Sequence, residues 1–386
     1  MLKLILIVFG CLLITMGVLA QDVPAAPTFT DLDSGWNRIP AEAPAVCALG
    51  DPYAFFVRPG SESHVTIYFE GGGACWDYGT CSPDGFSTYY KQDVGTLERN
   101  ASGIFDFENP ANPIVDDTVV FVPYCSADVF SGSQTVTYSS PDGNDLVIEH
   151  RGFANASVAL NWAFANLPDA ERVLVTGSSA GALGALYHGH RVMAAYPSAQ
   201  VTLISDGYAG IVPDDWAGPT IWGTYANLPQ ATGDTEVNTM TDLVEFLYTY
   251  TATTYPDQTI GQYTTVFDEV QAFFYQLMAL GAEDMQAGND LVSGMRALAR
   301  LRAGQDLVFA GIQAQDAALS ALPNYHVYLA GGGEHTAFAR DLFYTIAVDG
   351  VPLRDWVAAL LAEQPAERVV CFETADGCDT LTTTDD

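Results

Sequence analysis

The sequence predicts an α/β fold in which a mostly parallel central sheet is flanked by helices. Short runs of β-branched and apolar residues, such as Val173–Val175, have the composition of strands that are buried on both faces. These runs alternate with longer segments at helical spacing, such as Phe153–Leu167. This alternation is typical of parallel strands that are joined by right-handed crossovers.

The predicted elements follow one another along most of the chain, after a proline-rich lead-in at 24–44. A hairpin-type turn at 58–61 separates the first two strands, Ser131–Ser140 is interpreted as an excursion hairpin, and 76–103 as a long ordered loop at the mouth of the site. The predicted strands are Tyr53–Val57, Val65–Phe69, Thr118–Pro123, Val173–Val175, Gln200–Ile204, Gln262–Phe267 and Asn324–Ala330. The predicted helices are Phe153–Leu167, Ala180–Ala194, Thr241–Tyr250, Glu269–Leu280, Asp284–Leu301, Ala337–Val348 and Leu353–Leu361.

The composition limits the possible classes of function. The chain has 386 residues, and its 14 lysines and arginines stand against 47 aspartates and glutamates, for a formal net charge of −33. This excess of negative charge argues against nucleic acid and anionic membrane surfaces as partners, because both are bound by basic patches. Hydrophobic residues make up 49% of the chain, which is enough to build a large core.

The N-terminus has the pattern of a secretory leader. A lysine at position 3 precedes the apolar run Leu4–Val18, and Ala20 supplies the small residue expected before a cleavage point. We therefore expect residues 1–20 to be a signal peptide and the protein to be extracellular or periplasmic, without membrane association after cleavage. A retained membrane anchor is the alternative, since the apolar run is close to the shortest that can span a bilayer.

The rest of the chain is predicted to form a single domain, 21–379, and to act as a monomer. Residues 208–320 hold most of the additional aromatic and helical material, and we interpret them as an insert that supplies cap helices and substrate walls. Residues 380–386 form a short acidic tail.

The cysteines predict disulfides. Cys11 lies in the leader, and the remaining six are an even number, as is typical of a secreted chain with three disulfides. Close spacing favours two of the pairs, and the third follows by elimination. A zinc site is the alternative, but no Cys-x-x-Cys pair occurs. The predicted pairs are Cys75–Cys81, Cys371–Cys378 and Cys47–Cys125.

The segment Arg172–Ala185 contains the pattern Gly-x-Ser-x-Gly between a predicted strand and a predicted helix. This is the arrangement of a nucleophile elbow, in which a tight turn holds a serine where a substrate can reach it. We interpret Ser179 as this serine. A glycine-lined turn with a structural serine is the alternative.

A second glycine motif, Gly71–Gly73, directly follows the strand Val65–Phe69. Consecutive glycines after a buried strand allow backbone N–H groups to come close to a ligand. In a serine hydrolase of this type that ligand is the oxyanion, which would be held by N–H groups of this loop and of Ala180, the residue after the predicted nucleophile. A flexible turn is the other interpretation.

A serine nucleophile needs a histidine base, and the base needs a carboxylate that fixes its tautomer. His335 follows the strand Asn324–Ala330 in a glycine-rich loop, at the sheet edge where open α/β sheets keep their sites, and we predict it to be the base. Chain order, or a position on a helix or strand, argues against the other five: His64, His150, His188, His190 and His326.

Two acids compete for the third position. Asp206 ends the strand after the elbow helix, and Asp268 follows the strand-like segment Gln262–Phe267. Spacing alone leaves them equal, and either could instead be a helix cap.

Four motifs are spread along the chain. They are Phe69–Cys75, Tyr124-Cys125 with Phe130–Gly132, Arg151-Gly152 with Gly177–Gly181, and Phe267–Gln271. Together they resemble the pectin acetylesterase family, which includes plant cell-wall acetylesterases and Notum-type carboxylesterases. The resemblance implies an α/β-hydrolase fold, a triad of Ser179, Asp268 and His335, and Gly72, Gly73 and Ala180 as oxyanion donors.

Three positions depart from the family pattern. Ala74 replaces a tryptophan, Ala182 replaces a second glycine after the serine, and Ser126–Asp128 replaces Asp-Gly. These changes concern the shape of the acyl pocket and therefore the substrate.

The resulting expectation is a secreted serine carboxylesterase that removes acetyl or another short acyl group from a polysaccharide such as pectin, without metal or organic cofactor. Trp76, Tyr78 and Tyr89 are candidates for stacking on sugar rings, or alternatively core or loop residues. The charge of −33 makes free polygalacturonate an awkward partner, so neutral acetylated glycans stay open. The alternatives are an esterase of lipid or polyester substrates and a non-catalytic glycan-binding protein on the same scaffold.

Overall fold

A nine-stranded sheet forms the centre of the protein in a computed structural model. The structure describes residues 26–83, 88–89, 102–140, 142–229, 237–281, 291–373 and 378, with the side chains of 291–294 left out. The predicted leader 1–20 and acidic tail 380–386 lie outside the described residues, as does much of the predicted mouth loop 76–103.

The strands and helices of the described residues are numbered here in chain order. The strands are β1 (Asn37–Pro40), β2 (Ala54–Arg58), β3 (Ser61–Phe69), β4 (Asp117–Val122), β5 (Gln134–Tyr138), β6 (Leu146–His150), β7 (Arg172–Ser178), β8 (Gln200–Asp206), β9 (Thr259–Thr265), β10 (Tyr325–Ala330), β11 (Ala347–Val348), β12 (Val351–Pro352) and β13 (Val369–Val370). The helices are α1 (Tyr78–Cys81), α2 (Gly152–Asn166), α3 (Ala180–Ala195), α4 (Gly218–Trp222), α5 (Met240–Thr254), α6 (Glu269–Leu280), α7 (Leu291–Leu319), α8 (Leu342–Thr345) and α9 (Leu353–Leu361).

The central sheet has the strand order β1-β2-β4-β3-β7-β8-β9-β10-β13. Every pair from β4 to β13 is parallel, and only the edge pairs β1–β2 and β2–β4 are antiparallel. The predicted mostly parallel sheet is therefore confirmed. Since β3, β7, β8, β9 and β10 run in one direction, their carboxyl ends meet at one edge of the sheet.

Side chains alternate between two cores on the two faces of this sheet, as the period of a strand requires. Along β7, Val173 and Val175 belong to the core that packs under α2, α3 and α5, whereas Leu174 belongs to the core under α8 and α9. All three side chains are at most 1% exposed. This burial on both faces explains the continuous apolar runs from which the strands were predicted.

The turn at 58–61 does not form the predicted hairpin. β2 and β3 are not paired with each other, because β4 lies between them and pairs with both, antiparallel to β2 and parallel to β3. A genuine hairpin forms later, where β5 pairs antiparallel with β6, so the predicted excursion extends to His150.

Two predicted helices differ from the observed ones. Within the predicted helix Ala337–Val348 only α8 is helical, since the N–H groups of Ala337 and Phe338 donate to the Asp206 carboxylate and Ala347–Val348 forms β11. The helix expected at Asp284–Leu301 is α7, which continues to Leu319, while residues 282–290 lie outside the described part of the chain.

The structure joins the three predicted cysteine pairs: Cys47–Cys125, Cys75–Cys81 and Cys371–Cys378. Among the described residues, no helix is both long enough and apolar enough to cross a membrane.

Candidate active site

Ser179 lies at the tight turn between β7 and α3. Its backbone has φ 58° and ψ −123°, a region that L-residues rarely adopt. The flanking glycines are required by close backbone approach, since a Cβ at Gly177 would lie 2.3 Å from the Gly181 carbonyl oxygen, and one at Gly181 would lie 2.0 Å from that of Phe69. The turn therefore has the geometry expected of a nucleophile elbow.

His335 lies between the predicted nucleophile and one of the two candidate acids. Its Nε2 is 2.7 Å from Ser179 Oγ, and its Nδ1 is 2.7 Å from Asp268 Oδ2. The histidine side chain is 17% exposed and that of Asp268 is fully buried, so the chain of hydrogen bonds opens to solvent only on the serine side. The structure thus brings together the three residues that the resemblance implied.

Asp268 is also the N-cap of α6. Its Oδ1 accepts hydrogen bonds from the backbone N–H groups of Val270 at 2.9 Å and Gln271 at 2.8 Å. Its Oδ2 accepts from the Gln271 side chain at 2.9 Å as well as facing His335. Helix capping and contact with the histidine, which the sequence offered as alternatives, are therefore functions of the two oxygens of one carboxylate.

Asp206 occupies the end of the neighbouring strand, and its carboxylate has different partners. It accepts from the backbone N–H groups of Ala337 at 2.9 Å and Phe338 at 3.0 Å, and from the Ser178 hydroxyl. Burial raises the pKa of Asp206 to about 6, against the opposing effect of these hydrogen bonds.

Gln271 is a polar residue of the site whose place in the sequence is the end of the motif Phe267–Gln271. Its side-chain N–H groups donate to Asp268 Oδ2 and to Thr264 Oγ1, both at 2.9 Å, and its oxygen accepts from the backbone N–H of Ala209 at 2.8 Å. A Gln three residues after a capping Asp has the spacing of a capping box, and this spacing is the signal that could have found it. Here the Gln271 side chain donates to the Asp268 carboxylate instead of accepting from the backbone N–H of Asp268.

Two of the three predicted oxyanion donors line the same cavity as Ser179. Gly73 and Ala180 both line the cavity in front of the serine, and Ala180 is the first residue of α3, so its N–H has no carbonyl partner within the helix. Gly72 is buried, and a Cβ there would lie 2.5 Å from the Tyr124 ring. Their role as oxyanion donors stays a prediction.

A cavity of about 50 Å3 opens in front of Ser179 and His335. Apart from these two residues and Gln271, its lining is predominantly apolar and aromatic. The other lining residues are Gly73, Ala74, Val129, Ala180, Tyr208, Ile211, Val212, Trp216, Trp222, Met240, Val270, Phe274, Tyr275 and Met278.

The positions that depart from the family pattern are distributed unevenly around this cavity. Ala74 lines it directly, and the segment Ser126–Asp128 leads into Val129, which also lines it. Ala182 is fully buried in α3 and is not part of the lining. Two of the three departures therefore bear on the shape of the cavity.

The aromatic residues proposed for sugar stacking do not line the cavity. Trp76 is 8% exposed and packs edge-to-face against Trp216 at 5.2 Å, and Tyr89 is 6% exposed in a small cluster around the Cys75–Cys81 disulfide. Tyr78 is half-buried at the start of α1 and packs against the same cluster. The aromatic lining comes instead from the segment 208–222 and from α6.

The remaining buried histidines have packing roles. His188 is fully buried, contacts the Phe130 carbonyl oxygen at 2.9 Å, and has its pKa held well below the usual value by burial. His150 lies close to Cys75 and Cys81, but the disulfide occupies both sulfurs, so these three residues do not offer a metal site.

The site defines a class of protein, in which a serine at a strand–helix turn meets a histidine and an aspartate at the carboxyl edge of a mostly parallel sheet. Residues 36–240, just over half of the chain, match the pectinacetylesterase family, and the chain belongs to this family. The matched range includes Ser179 and the glycine loop and ends before Asp268 and His335.

Curated relatives include two kinds of carboxylesterase. Palmitoleoyl-protein carboxylesterase notum2 of Xenopus laevis is 29% identical over 175 residues, which are 44% of this chain and 34% of that protein. Palmitoleoyl-protein carboxylesterase NOTUM of Homo sapiens is 27% identical over 171 residues, 42% and 33% of the two chains. Pectin acetylesterase 5 of Arabidopsis thaliana is 28% identical over 208 residues, 51% and 47%. The chain thus spans less than half the length of each of these relatives.

Proposed function

We propose that this protein is a secreted serine carboxylesterase on an α/β-hydrolase fold, with Ser179, His335 and Asp268 as its catalytic triad. The observation that carries the proposal is the continuous hydrogen-bond chain from Ser179 Oγ through both ring nitrogens of His335 to Asp268 Oδ2, with each link at 2.7 Å. Three disulfides and the leader pattern at residues 1–20 support secretion, because disulfides persist in oxidising compartments.

In the proposed mechanism His335 Nε2 takes the proton of Ser179 as the serine oxygen attacks the ester carbonyl carbon. Asp268 keeps the Nδ1–H of His335 directed at its carboxylate and stabilises the imidazolium. Backbone N–H groups of Gly72, Gly73 and Ala180 hold the oxyanion. His335 then gives its proton to the leaving alcohol, which leaves Ser179 acylated, and in a second round it activates a water that releases the acid.

The size of the cavity favours a short acyl group. About 50 Å3 is room for roughly three to five water-sized groups, at about 10–15 Å3 each. An acetyl group is of this size, and the acceptor would be an acetylated polysaccharide bound outside the cavity. We assign the lining contributed by residues 208–222, Met240 and α6 to the predicted insert of a single domain, 21–379.

A second candidate is an esterase of longer acyl chains. It is favoured by the apolar character of the lining, which includes Ile211, Met240 and Met278 and exceeds what an acetyl methyl group needs. Methionine side chains are flexible enough to rearrange around a longer chain. Two of the relatives described above are named for the removal of a palmitoleoyl group.

The test is a panel of p-nitrophenyl esters from acetate to palmitate, assayed with the wild type and with Ser179→Ala. We expect kcat/KM to be highest for acetate and to fall as the chain lengthens. We expect Ser179→Ala to lower kcat by about 10^5- to 10^6-fold, the size of effect seen when a serine nucleophile is removed.

Each other outcome points to a different conclusion. A kcat/KM that rises with chain length favours the second candidate over the first. Undiminished hydrolysis by Ser179→Ala rejects the triad, and no hydrolysis of any ester by the wild type favours a non-catalytic binding protein.

A further inference from the structure

The proposed mechanism does not use Asp206, although this carboxylate is fully buried next to the site. It ends β8, the strand between β7, which leads into Ser179, and β9, which leads to Asp268. A buried carboxylate is unfavourable unless its oxygens are satisfied by hydrogen bonds. The identity of those partners therefore indicates what the residue does.

Asp206 is bonded to both segments that must meet for the proposed chemistry. Its backbone carbonyl accepts from the N–H of Ser179 at 2.8 Å. Its side chain accepts from the N–H groups of Ala337 at 2.9 Å and Phe338 at 3.0 Å, which follow His335 by two and three residues. One residue thus connects the serine turn and the histidine loop directly.

Neighbouring contacts hold the same arrangement. A Cβ at Gly207, which has φ +78°, would lie 2.3 Å from the His335 carbonyl oxygen, so β8 and the histidine loop are in close contact. The Ser178 hydroxyl donates to Asp206 Oδ2 and itself accepts from the Tyr68 hydroxyl at 2.8 Å. The carboxylate is therefore fixed from the serine side as well as from the histidine side.

We propose that Asp206 is a positioning residue that sets the distance between Ser179 Oγ and His335 Nε2. This inference rests on the proposed function, since it assumes that the contact between these two atoms limits the reaction. A small displacement of reacting groups is sufficient to slow catalysis markedly. Asp206 is hydrogen-bonded to both of the segments that carry these groups.

The test replaces Asp206 by Asn in the full chain and compares it with Asp117→Asn. An Asn side chain has a single acceptor oxygen, so its NH2 group must face at least one of the groups that donate a hydrogen bond to the Asp206 carboxylate. We expect Asp206→Asn to lower kcat on p-nitrophenyl acetate by about 10- to 100-fold with KM within about threefold.

Asp117 is a matched control, because its carboxylate is also buried, accepts a hydrogen bond from the Thr66 hydroxyl at 2.6 Å and pairs with Arg172. It differs from Asp206 in position, since it begins β4 and therefore lies at the amino ends of the parallel strands, away from the site. We expect Asp117→Asn to change kcat by less than about threefold even where it lowers the melting temperature. Both variants are assayed well below their own melting temperatures.

Labelling with diisopropyl fluorophosphate separates misplacement from unfolding. In Asp206→Asn we expect the labelling rate to fall by the same factor as kcat, while the final labelling still reaches one group per chain. A kcat within threefold of the wild type, a loss no larger than that of Asp117→Asn, or a reduced final extent of labelling would overturn the inference.

Ser178→Ala decides the question if Asp206→Asn does not fold. It removes one donor and leaves the carboxylate in place, so we expect a loss of about 3- to 10-fold in kcat with KM unchanged, and an unchanged kcat would reject the role of Asp206. Ser179→Ala is assayed in parallel. If that variant stays active, the proposed triad fails; if it is inactive, the Asp206 result bears on Asp206 alone.

Discussion

The floor of the cavity is formed by Ser179, His335 and Gln271, with the buried Asp268 behind His335, whereas its wall comprises the apolar residues of 208–222, Met240 and α6. On the floor the polar side chains are hydrogen-bonded to one another. With the proton of the neutral His335 ring on Nδ1, Asp268 accepts four hydrogen bonds. On the wall the contacts are mostly between apolar and aromatic groups, as between Trp216 and Trp222, whose rings lie 5.3 Å apart.

The two regions differ because hydrogen bonds stabilise the floor and apolar packing stabilises the wall. The floor sits at the ends of parallel strands, where hydrogen bonds are directional and errors of position are penalised. The wall is built from non-directional packing, which tolerates exchange of one apolar side chain for another of similar volume. We infer that the floor determines the chemistry and the wall determines which ester enters.

The largest effect is expected from Asp268→Asn on the floor. Asn is as good a helix cap as Asp, so the start of α6 should keep its stability. When the single amide oxygen caps the helix, however, the NH2 group faces His335 Nδ1 and cannot accept its proton as the second carboxylate oxygen does. We expect kcat to fall by about 10^4-fold, as for the equivalent change in a serine protease triad, with a change in melting temperature of only a few degrees. Steady-state kinetics measure kcat, and thermal unfolding measures the melting temperature.

Glu269→Gln is the control for this change, since Glu269 is the next residue and is exposed at the first turn of α6. It should leave kcat within about twofold of the wild type. If Asp206→Asn is crippled and Asp268→Asn is not, the acid has been assigned to the wrong strand end.

A smaller and different effect is expected from the wall. Phe274 lies on α6 and its ring reaches toward Gly73, where a Cβ would be 3.3 Å from the ring tip. Phe274→Ala should enlarge the cavity beside Ser179, and the ratio of kcat/KM for butyrate over acetate should rise by about 10-fold, within the range that one or two methylene groups provide in an apolar pocket.

Phe273→Ala is the matched variant for the wall. Phe273 precedes Phe274 on the same helix and packs against its ring at 5.5 Å, but it does not line the cavity. It should leave the butyrate-to-acetate ratio within about twofold. An equal change of the butyrate-to-acetate ratio in both variants would mean that α6 moves as a whole. The ratio would then not depend on which side chain lines the cavity.

The floor was largely predictable from the sequence, and the wall was not. Gly177–Gly181 and His335 carry local signals, namely glycines at a strand–helix turn and a loop after a strand, which specify position at one sheet edge. Local spacing did not distinguish Asp206 from Asp268, because both were predicted to lie at the end of a strand, and it was the family resemblance that implied Asp268. In the structure the His335 loop approaches both residues, and it joins the ring to Asp268 and the backbone of 337–338 to Asp206.

The wall depends on contacts between distant segments, which have no local pattern. Trp76, Tyr78 and Tyr89, the candidates for sugar stacking, do not line the cavity, and Trp76 packs against Trp216, which does. The predicted hairpin at 58–61 was wrong because the insertion of β4 between β2 and β3 is a long-range pairing. The helix prediction at Ala337–Val348 missed that Asp206 takes the first two N–H groups.

The most direct test of the central claim is to locate the covalent adduct that an organophosphorus label forms with the protein. Trypsin should release the peptide Val173–Arg191, which contains both Ser178 and Ser179, and fragmentation by mass spectrometry distinguishes the two. The account predicts one adduct per chain, on Ser179, and none after the same exposure of His335→Ala. An adduct on Ser178 or on a serine outside this peptide, or undiminished labelling of His335→Ala, would contradict it.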